Sequence, residues 1–337
     1  MMTPHSIFRE DNNMSEEKDI LLEVSHLKKY FNTPAGLLHA VDDVSFTIER
    51  GKTLGIVGES GCGKSTTGRT IMRLIEPTSG SIKFEGIELT ELTDKEMRKM
   101  RKDIQIIFQD PYASLDPRNT VSEIIAEPLK VAKIMKDKKE IEKRVYELME
   151  TVGLADRLVN TYPHELDGGR RQRIGIARAI AMQPKLIICD EPVSALDVSI
   201  QAQILNLLKT LQQQMGLTYI FITHDLSVVN HFSDDIAVMY LGELVEKAPS
   251  DVLFANPLHP YTQALLSAIP VPDLKNRRQR IQLKGEISSP VNLPPGCRFA
   301  KRCKECYEKC TQVSPQLVEV EPNHFVACNL MDNYQKS

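Results

Sequence analysis

Residues 58–66 carry the pattern G-x-x-x-x-G-K-S, and no other stretch limits the possible folds of this chain as tightly. Gly58, Gly61 and Gly63 let the backbone curl so that successive N–H groups aim at one phosphate, with Glu59, Ser60 and Cys62 between them. Lys64 adds a charge that reaches the outer phosphates. Ser65, followed by Thr66, offers a hydroxyl to a bound magnesium ion. Residues 53–57 before the loop read as a short buried strand, and residues 64–74 after it carry helical spacing. The positive end of that helix then faces the phosphates. A strand–loop–helix unit binding a nucleoside triphosphate with Mg2+ is expected.

At 337 residues and 42% hydrophobic, the chain can build one large domain or two modest ones. Its net charge of −3 gives no global field to recruit nucleic acid. It has no run of about 18 apolar residues, the length a bilayer-spanning helix needs. Residues 1–18 are polar and charged and lack the apolar stretch of a signal peptide. They read as a disordered tail, with Met14 an alternative start, and a cytosolic chain is expected.

Strand-like runs at 21–24 and 40–48 flank a turn at 33–36 and predict an antiparallel start. Further strands are expected at 82–84, 104–108, 185–189 and 217–223, and a hairpin at 236–245 around Leu241 and Gly242. Helical patterns fall at 121–158, 171–181 and 200–215, and another helix opens at 226. The alternation predicts an α/β fold, a parallel sheet with helices on both faces. After Pro270 the texture changes: Pro272, Pro290, Pro294 and Pro295 interrupt a stretch with little periodicity, and a small separate appendage is expected.

Two carboxylates, Asp190 and Glu191, end the apolar run at 186–189. Asp190 suits a magnesium ion held through water, and Glu191 suits a base that polarises an attacking water. His224 ends the next strand, where open α/β sheets bind ligands, and could hold the γ-phosphate and the water. Gln109 ends the strand at 104–108, and its amide could sense the metal or the water. Each of these signals is weak alone; behind a phosphate loop they describe phosphoryl transfer.

The order of phosphate loop, Gln109, Gly168-Gly169-Arg170-Arg171-Gln172-Arg173, Asp190-Glu191, Ser194 to Asp197 and His224 resembles an ATP-binding cassette (ABC) ATPase over about residues 20–250. The resemblance implies a P-loop NTPase cassette. It has a RecA-like parallel core, an antiparallel β subdomain and an α-helical subdomain near 110–170, all within 19–270. It implies two cassettes facing head to tail, each ATP lying between one chain's loop and the other's signature segment. Asp197 then belongs to a loop crossing that interface. An aromatic side chain would stack on adenine: Phe31 by spacing, with Tyr30 the alternative.

The family's signature usually reads Leu-Ser-Gly-Gly-Gln; here it is Leu166-Asp167-Gly168-Gly169-Arg170. An anionic Asp167 cannot donate to a facing phosphate. Two unit charges about 4 Å apart repel by about 4 kcal/mol at an effective dielectric near 20. Either the site to which this signature contributes is retuned, or Asp167 caps the following helix and a neighbouring arginine offsets its charge. The intact set on this chain's own side, with an altered signature, points to a heterodimer with a paralogous cassette.

Three further stretches, 108–118, 259–265 and 294–303, resemble the ATPases of bacterial oligopeptide and dipeptide importers, including their C-terminal domain, here 271–337. Nickel and glutathione importers are similar. Five of the seven cysteines lie in the last 41 residues. The resemblance implies that Cys297, Cys303, Cys310 and Cys328 hold a [4Fe-4S] cluster. Four thiolates suit zinc equally, and five reduced thiols with no metal is the remaining alternative. Cys306 is expected to be a free thiol. The implied partners are a paralogous ATPase, two transmembrane permease subunits at the cytoplasmic face of the membrane, and indirectly an external peptide-binding protein; nucleic acid is not among them. A soluble repair or translation cassette would bring a coiled-coil insertion, paired cassettes or a basic surface, and the sequence has none.

Overall fold

Alternation within the central strands decides the architecture. The computed structural model describes residues 19–269, 280–283, 285 and 289–336, with side chains as far as 332. The expected tail over 1–18, including Met14, and the change of texture from Pro270 to Pro272 lie outside these residues.

The chain opens with a long hairpin, β1 (Ile20–Thr33) and β2 (Gly36–Glu49), paired antiparallel. Then come β3 (Thr53–Val57), the phosphate loop and α1 (Lys64–Ile71). The strands β4 (Ser79–Phe84) and β5 (Ile87–Glu88) complete a sheet of order β2-β1-β4-β5. Next are α2 (Asp94–Met100), β6 (Ile104–Ile107), α3 (Val121–Val131), α4 (Lys138–Thr151) and α5 (Gly168–Ile180). The core continues with β7 (Leu186–Asp190), α6 (Val198–Met215), β8 (Thr218–Thr223) and α7 (Leu226–Phe232). A hairpin of β9 (Asp235–Tyr240) and β10 (Glu243–Pro249) precedes α8 (Ser250–Ala255) and α9 (Pro260–Ser267). The C-terminal part holds α10 (Glu308–Gln312), β11 (Val318–Glu321) and β12 (His324–Val326).

The main sheet has the order β11-β12-β10-β9-β3-β8-β7-β6 among the described residues. The pairings from β9 through β6 are parallel, and β10 and β12 add antiparallel neighbours. Successive residues of the buried strands feed opposite cores, as a period of two requires. Ile188, Ile220, Ile222 and Met239 face one core with β1, β2, β4 and α1. Cys189, Phe221, Val238 and Tyr240 face the other, with α3 to α6. The expectation of helices on both faces needs one amendment: the first face carries α1 together with the four-stranded sheet. α1 sits close to the strands because Gly68 has no side chain; a Cβ there would come within 3.0 Å of Ile188 and Ile222.

The helical stretch at 121–158 is two helices with a break between them, where Lys133 is left-handed (φ 54°) and Asp137 caps α4. α3 starts with a reciprocal cap between Thr120 and Glu123. α5 begins three residues earlier than its apolar spacing indicated, because Asp167 caps it at Gly168. The C-terminal part does not stand apart from the sheet. β12 pairs with the β10 edge through Glu246–Val326 and Lys247–Phe325.

Candidate functional site

The phosphate loop runs from the end of β3 to the N-terminus of α1, and its glycines are required by geometry. Gly58, Gly61 and Gly63 have φ of 155°, 78° and 107°. A Cβ on Gly58 would come within 2.2 Å of the Met239 carbonyl, and one on Gly63 within 2.1 Å of the Ala40 carbonyl. Gly63 caps α1 with no side chain, so the first N–H groups of the helix are left to face the loop. Lys64 is buried, and its Nζ donates to the carbonyls of Gly58 (2.7 Å) and Glu59 (2.9 Å). Burial raises the Cys62 thiol, the nearby Lys64 charge opposing it.

Parallel strands deliver the remaining polar groups at their C-terminal ends. Ser65 Oγ donates to Asp190 Oδ1 at 2.5 Å, and Arg69 Nη2 lies 3.3 Å from Asp190 Oδ2. Arg69 was not anticipated from the sequence; its place one helical turn after Ser65 is the signal that could have found it. Gln109 Nε2 donates to Glu191 Oε2 at 3.0 Å, and His224 Nδ1 lies 3.4 Å from the same oxygen. Three strand ends, β6, β7 and β8, therefore meet at one carboxylate. Glu191 has a left-handed backbone (φ 47°), costly for a residue with a side chain, held by its N–H bond to the Ile222 carbonyl at 2.9 Å. A cavity of about 260 Å³ joins these groups, lined by Ser60, Gly61, Gly63, Lys64, Ser65, Thr66, Gln109 and Glu191 together with Phe31, Leu38, Ala40 and Pro290. The arrangement offers a phosphate cradle, an oxygen pair suited to a divalent cation and a partly buried carboxylate flanked by an amide and an imidazole.

Comparison with known proteins agrees with this geometry. The pattern described as "ABC transporter" matches residues 41–194, and "Oligopeptide/dipeptide transporter, C-terminal region" matches residues 245–310. The oligopeptide transport ATP-binding protein OppF of Bacillus subtilis is 54% identical over 309 residues, covering 91% of this chain and 96% of that protein. AppF of the same organism, also an oligopeptide transport ATP-binding protein, is 52% identical over 323 residues, covering 93% and 98%. This chain is an ABC ATPase of the oligopeptide/dipeptide group. Among solved structures, the dimeric post-hydrolysis state of the ATP-binding cassette MJ0796, bound to ADP and Pi, matches with a TM-score of 0.63 and 32% identity. That match covers 68% of this chain and 98% of that one. The ABC ATPase fold and its nucleotide chemistry follow from the family.

Not all of the expected ABC residues meet in the phosphate-loop cavity. Phe31 lines it, with Lys29 Nζ 4.8 Å from its ring centre. Tyr30 packs on His39 at 4.3 Å between ring centres, and its hydroxyl donates to Asp42. The signature residues Asp167, Gly169 and Arg170 line a different cavity, with Arg173 and Ile200. Gly168 sits against Leu196 and has no room for a larger side chain without a shift there. Asp167 Oδ1 accepts from the Arg170 N–H at 2.8 Å, and its other oxygen lies 3.2 Å from Arg170 Nη1. The carboxylate is thus both a helix cap and half of an ion pair. Asp197 caps α6, accepting from the Ile200 N–H at 3.0 Å, a bond that lowers its pKa.

The expected iron–sulfur or zinc site is corrected by the structure. Cys297, Cys303, Cys310 and Cys328 line one small cavity. Yet among the described residues no three His, Cys, Asp or Glu side chains form a group that could hold a metal ion. All four are free thiols, as is Cys306. Burial pushes the Cys297 thiol up to about 12 and the Cys328 thiol up to about 11. Protein contacts staple the segment instead. The Cys297 N–H donates to the Cys310 carbonyl at 2.8 Å, and buried Glu246 accepts from the N–H groups of Leu258 and His259 and lies 2.8 Å from His324 Nε2.

Proposed function

We propose that this ABC ATPase energises the import of di- or oligopeptides by binding and hydrolysing Mg-ATP. The observation that carries the reading is the convergence of Gln109 and His224 on one Glu191 oxygen, beside the Ser65–Asp190 pair and the phosphate loop. Lys64 and the loop N–H groups bind the phosphates. Ser65 and Asp190, with Gln109, are the residues to hold Mg2+, which would neutralise charge on the transferred phosphoryl group. Glu191 takes the proton from the attacking water, and His224 orients that water and the γ-phosphate. Gln109 links the occupancy of the site to the helical segment near 110–170, where the permease contact is placed. Phe31 stacks on the base.

In this reading residues 19–270 form the nucleotide-binding unit and 271–337 the C-terminal domain of the importer group. The chain works on the cytoplasmic face of the membrane with two transmembrane permease subunits, which receive peptide from an external binding protein. Its signature meets the nucleotide of a paralogous cassette, and a standard signature from that partner completes the site built here. Closure follows ATP only as far as ATP binds the closed pair better, and hydrolysis removes that preference. The test is reconstitution with permease and partner cassette in vesicles. Peptide-loaded binding protein should stimulate Mg-dependent ATP turnover and peptide uptake. Full turnover by the lone chain as a symmetric dimer would reject the heterodimer, and uptake of nickel or glutathione alone would reject peptide as cargo.

A further inference from the structure

The phosphate loop is rich in glycine, and its neighbours in sequence do not explain what keeps it in shape. Glu59, its second residue, is held at every polar group. Its N–H donates to the Tyr261 hydroxyl at 3.0 Å, and its carbonyl accepts from Lys64 Nζ at 2.9 Å. Its carboxylate accepts a two-pronged bond from Arg302, Nη1 to Oε2 at 2.7 Å and Nη2 to Oε1 at 3.1 Å. Arg302 lies 243 positions away, in a short turn of the C-terminal segment. Its side chain is only 8% exposed, and its Nη1 also reaches the Tyr240 hydroxyl at 3.4 Å. Phe299 anchors that turn, its ring centre 5.3 Å from Tyr240 and 5.4 Å from Tyr261.

A second arginine of the same turn reaches the other arm of the loop. Arg298 donates to the Leu241 carbonyl and pairs with Asp42 and, at 2.9 Å, with Glu243. The adjoining Gly242 N–H donates to the Cys62 carbonyl at 2.8 Å. Both ends of the glycine-rich curve are therefore tied, directly or through one turn, to residues 298–302.

We infer that Arg302 is a positioning residue for nucleotide binding, and that the C-terminal segment shapes the ATP site of its own chain through the Arg302–Glu59 bridge. The inference rests on the reading of residues 58–66 as that site. A cradle of N–H groups binds phosphate well only when its members are already aligned, and a loop of glycines does not align itself. A planar guanidinium gripping both carboxylate oxygens fixes direction as well as distance, which a lysine ammonium cannot do. Neither arginine reaches the cavity, so both act through the loop.

The experiment is calorimetric titration of the full chain with Mg-ATP and Mg-ADP, together with steady-state turnover in the assembled transporter. Wild type is compared with Arg302→Met, Arg302→Lys, Glu59→Gln and the Glu59→Gln/Arg302→Met pair. Arg302→Met should weaken both nucleotides about tenfold, because misaligned donors lose ground-state and transition-state binding alike. KM should rise by a similar factor with kcat within about threefold. Arg302→Lys should recover part of the affinity, and the double variant should be no worse than Arg302→Met alone. If the variants lower thermal stability but bind with wild-type affinity, Arg302 only holds the fold and the inference is overturned. If Arg302→Met does not fold, Arg302→Lys and Glu59→Gln decide the matter by the same criterion. Failure of the wild-type chain to bind Mg-ATP overturns the proposed function as well, so the two failures are distinguishable.

Discussion

Asp167 separates cap from charge in a way that one substitution series can read. Its carboxylate accepts from the Arg170 N–H at 2.8 Å and faces the Arg170 guanidinium at 3.2 Å. Losing an N-cap acceptor costs about 1 kcal/mol. The ion pair is about half exposed on both sides, so solvent screening limits it to a few tenths of a kcal/mol. The first turn of α5 holds no acidic residue, so the anion near the helix N-terminus contributes about 0.5 kcal/mol more. Asp167→Ala should therefore destabilise by about 1.5 kcal/mol, lowering the thermal midpoint by about 2 °C in a chain of this size. Asp167→Asn and Asp167→Ser keep a capping oxygen and lose only the two charge contributions, so they should cost about 0.8 kcal/mol. Scanning fluorimetry of the purified chain, backed by urea unfolding, reads the order. Turnover in the assembled transporter reads the charge: Asn and Ser remove the anion while keeping the helix, so a change common to both reports on the facing phosphate. An Asn variant as unstable as the Ala variant would refute the capping argument.

Glu191→Gln should lower ATP turnover by about 10²–10⁴-fold while Mg-ATP binding persists, because the amide keeps the side-chain shape but cannot take a proton; turnover unchanged in a coupled phosphate-release assay would remove Glu191 from the mechanism. Gly63→Ala should abolish nucleotide binding even in folded protein, since its Cβ would lie 2.1 Å from the Ala40 carbonyl at φ 107°; a binding titration near wild type would show that the loop can relax. His259 is buried, its pKa pushed down to about 4 by desolvation against the Glu246 charge, and its Nδ1 accepts the Tyr261 N–H at 3.0 Å only while unprotonated. Its folded pKa is below its unfolded one, so the unfolded state takes up the proton first. Stability should fall as pH drops from about 6.5 towards 4, by about 2 kcal/mol between pH 7 and pH 5. His259→Asn should flatten that slope in urea unfolding at the two pH values, and an unchanged slope would assign it to other groups.

The parts legible in the sequence were those whose pattern is local. The strand at Thr53–Val57 falls where its apolar run ends, and the turn between β1 and β2 falls where Pro34 and Ala35 break the alternation. The order of Gln109, Glu191 and His224 could be read because each ends an apolar strand, although nothing in the sequence says that all three meet at one oxygen. The start of α5 was legible through its cap and not through its spacing: the helical pattern at 171–181 opens three residues late, whereas Asp167, readable in the sequence as a cap, sets the start at Gly168. The short strands β11 and β12, of four and three residues, gave no signal of their own: β12 forms on the β10 edge, and β11 pairs in turn with β12. The cysteines misled because the resemblance that supplied the four ligands speaks only of their positions: the four thiols line one small cavity, yet no three of them form a group that could hold a metal ion among the described residues.

The contacts that most affect the nucleotide site are those with the greatest separation in sequence, and this is physically expected. A phosphate loop needs glycines to curl, and the same glycines deprive it of side chains with which to hold itself. Support must then come from outside: Tyr261 and Arg302 at Glu59, Gly242 at Cys62, and Asp190 at Ser65. Near Phe31, which lines the same cavity, the Pro290 carbonyl accepts the His39 N–H at 3.0 Å and Val291 bridges to Leu38. Composition changes at about residue 270, but the hydrogen-bond network does not end there. Residues on both sides of that change hold the loop, so a perturbation of the C-terminal segment has a direct mechanical route to the phosphates.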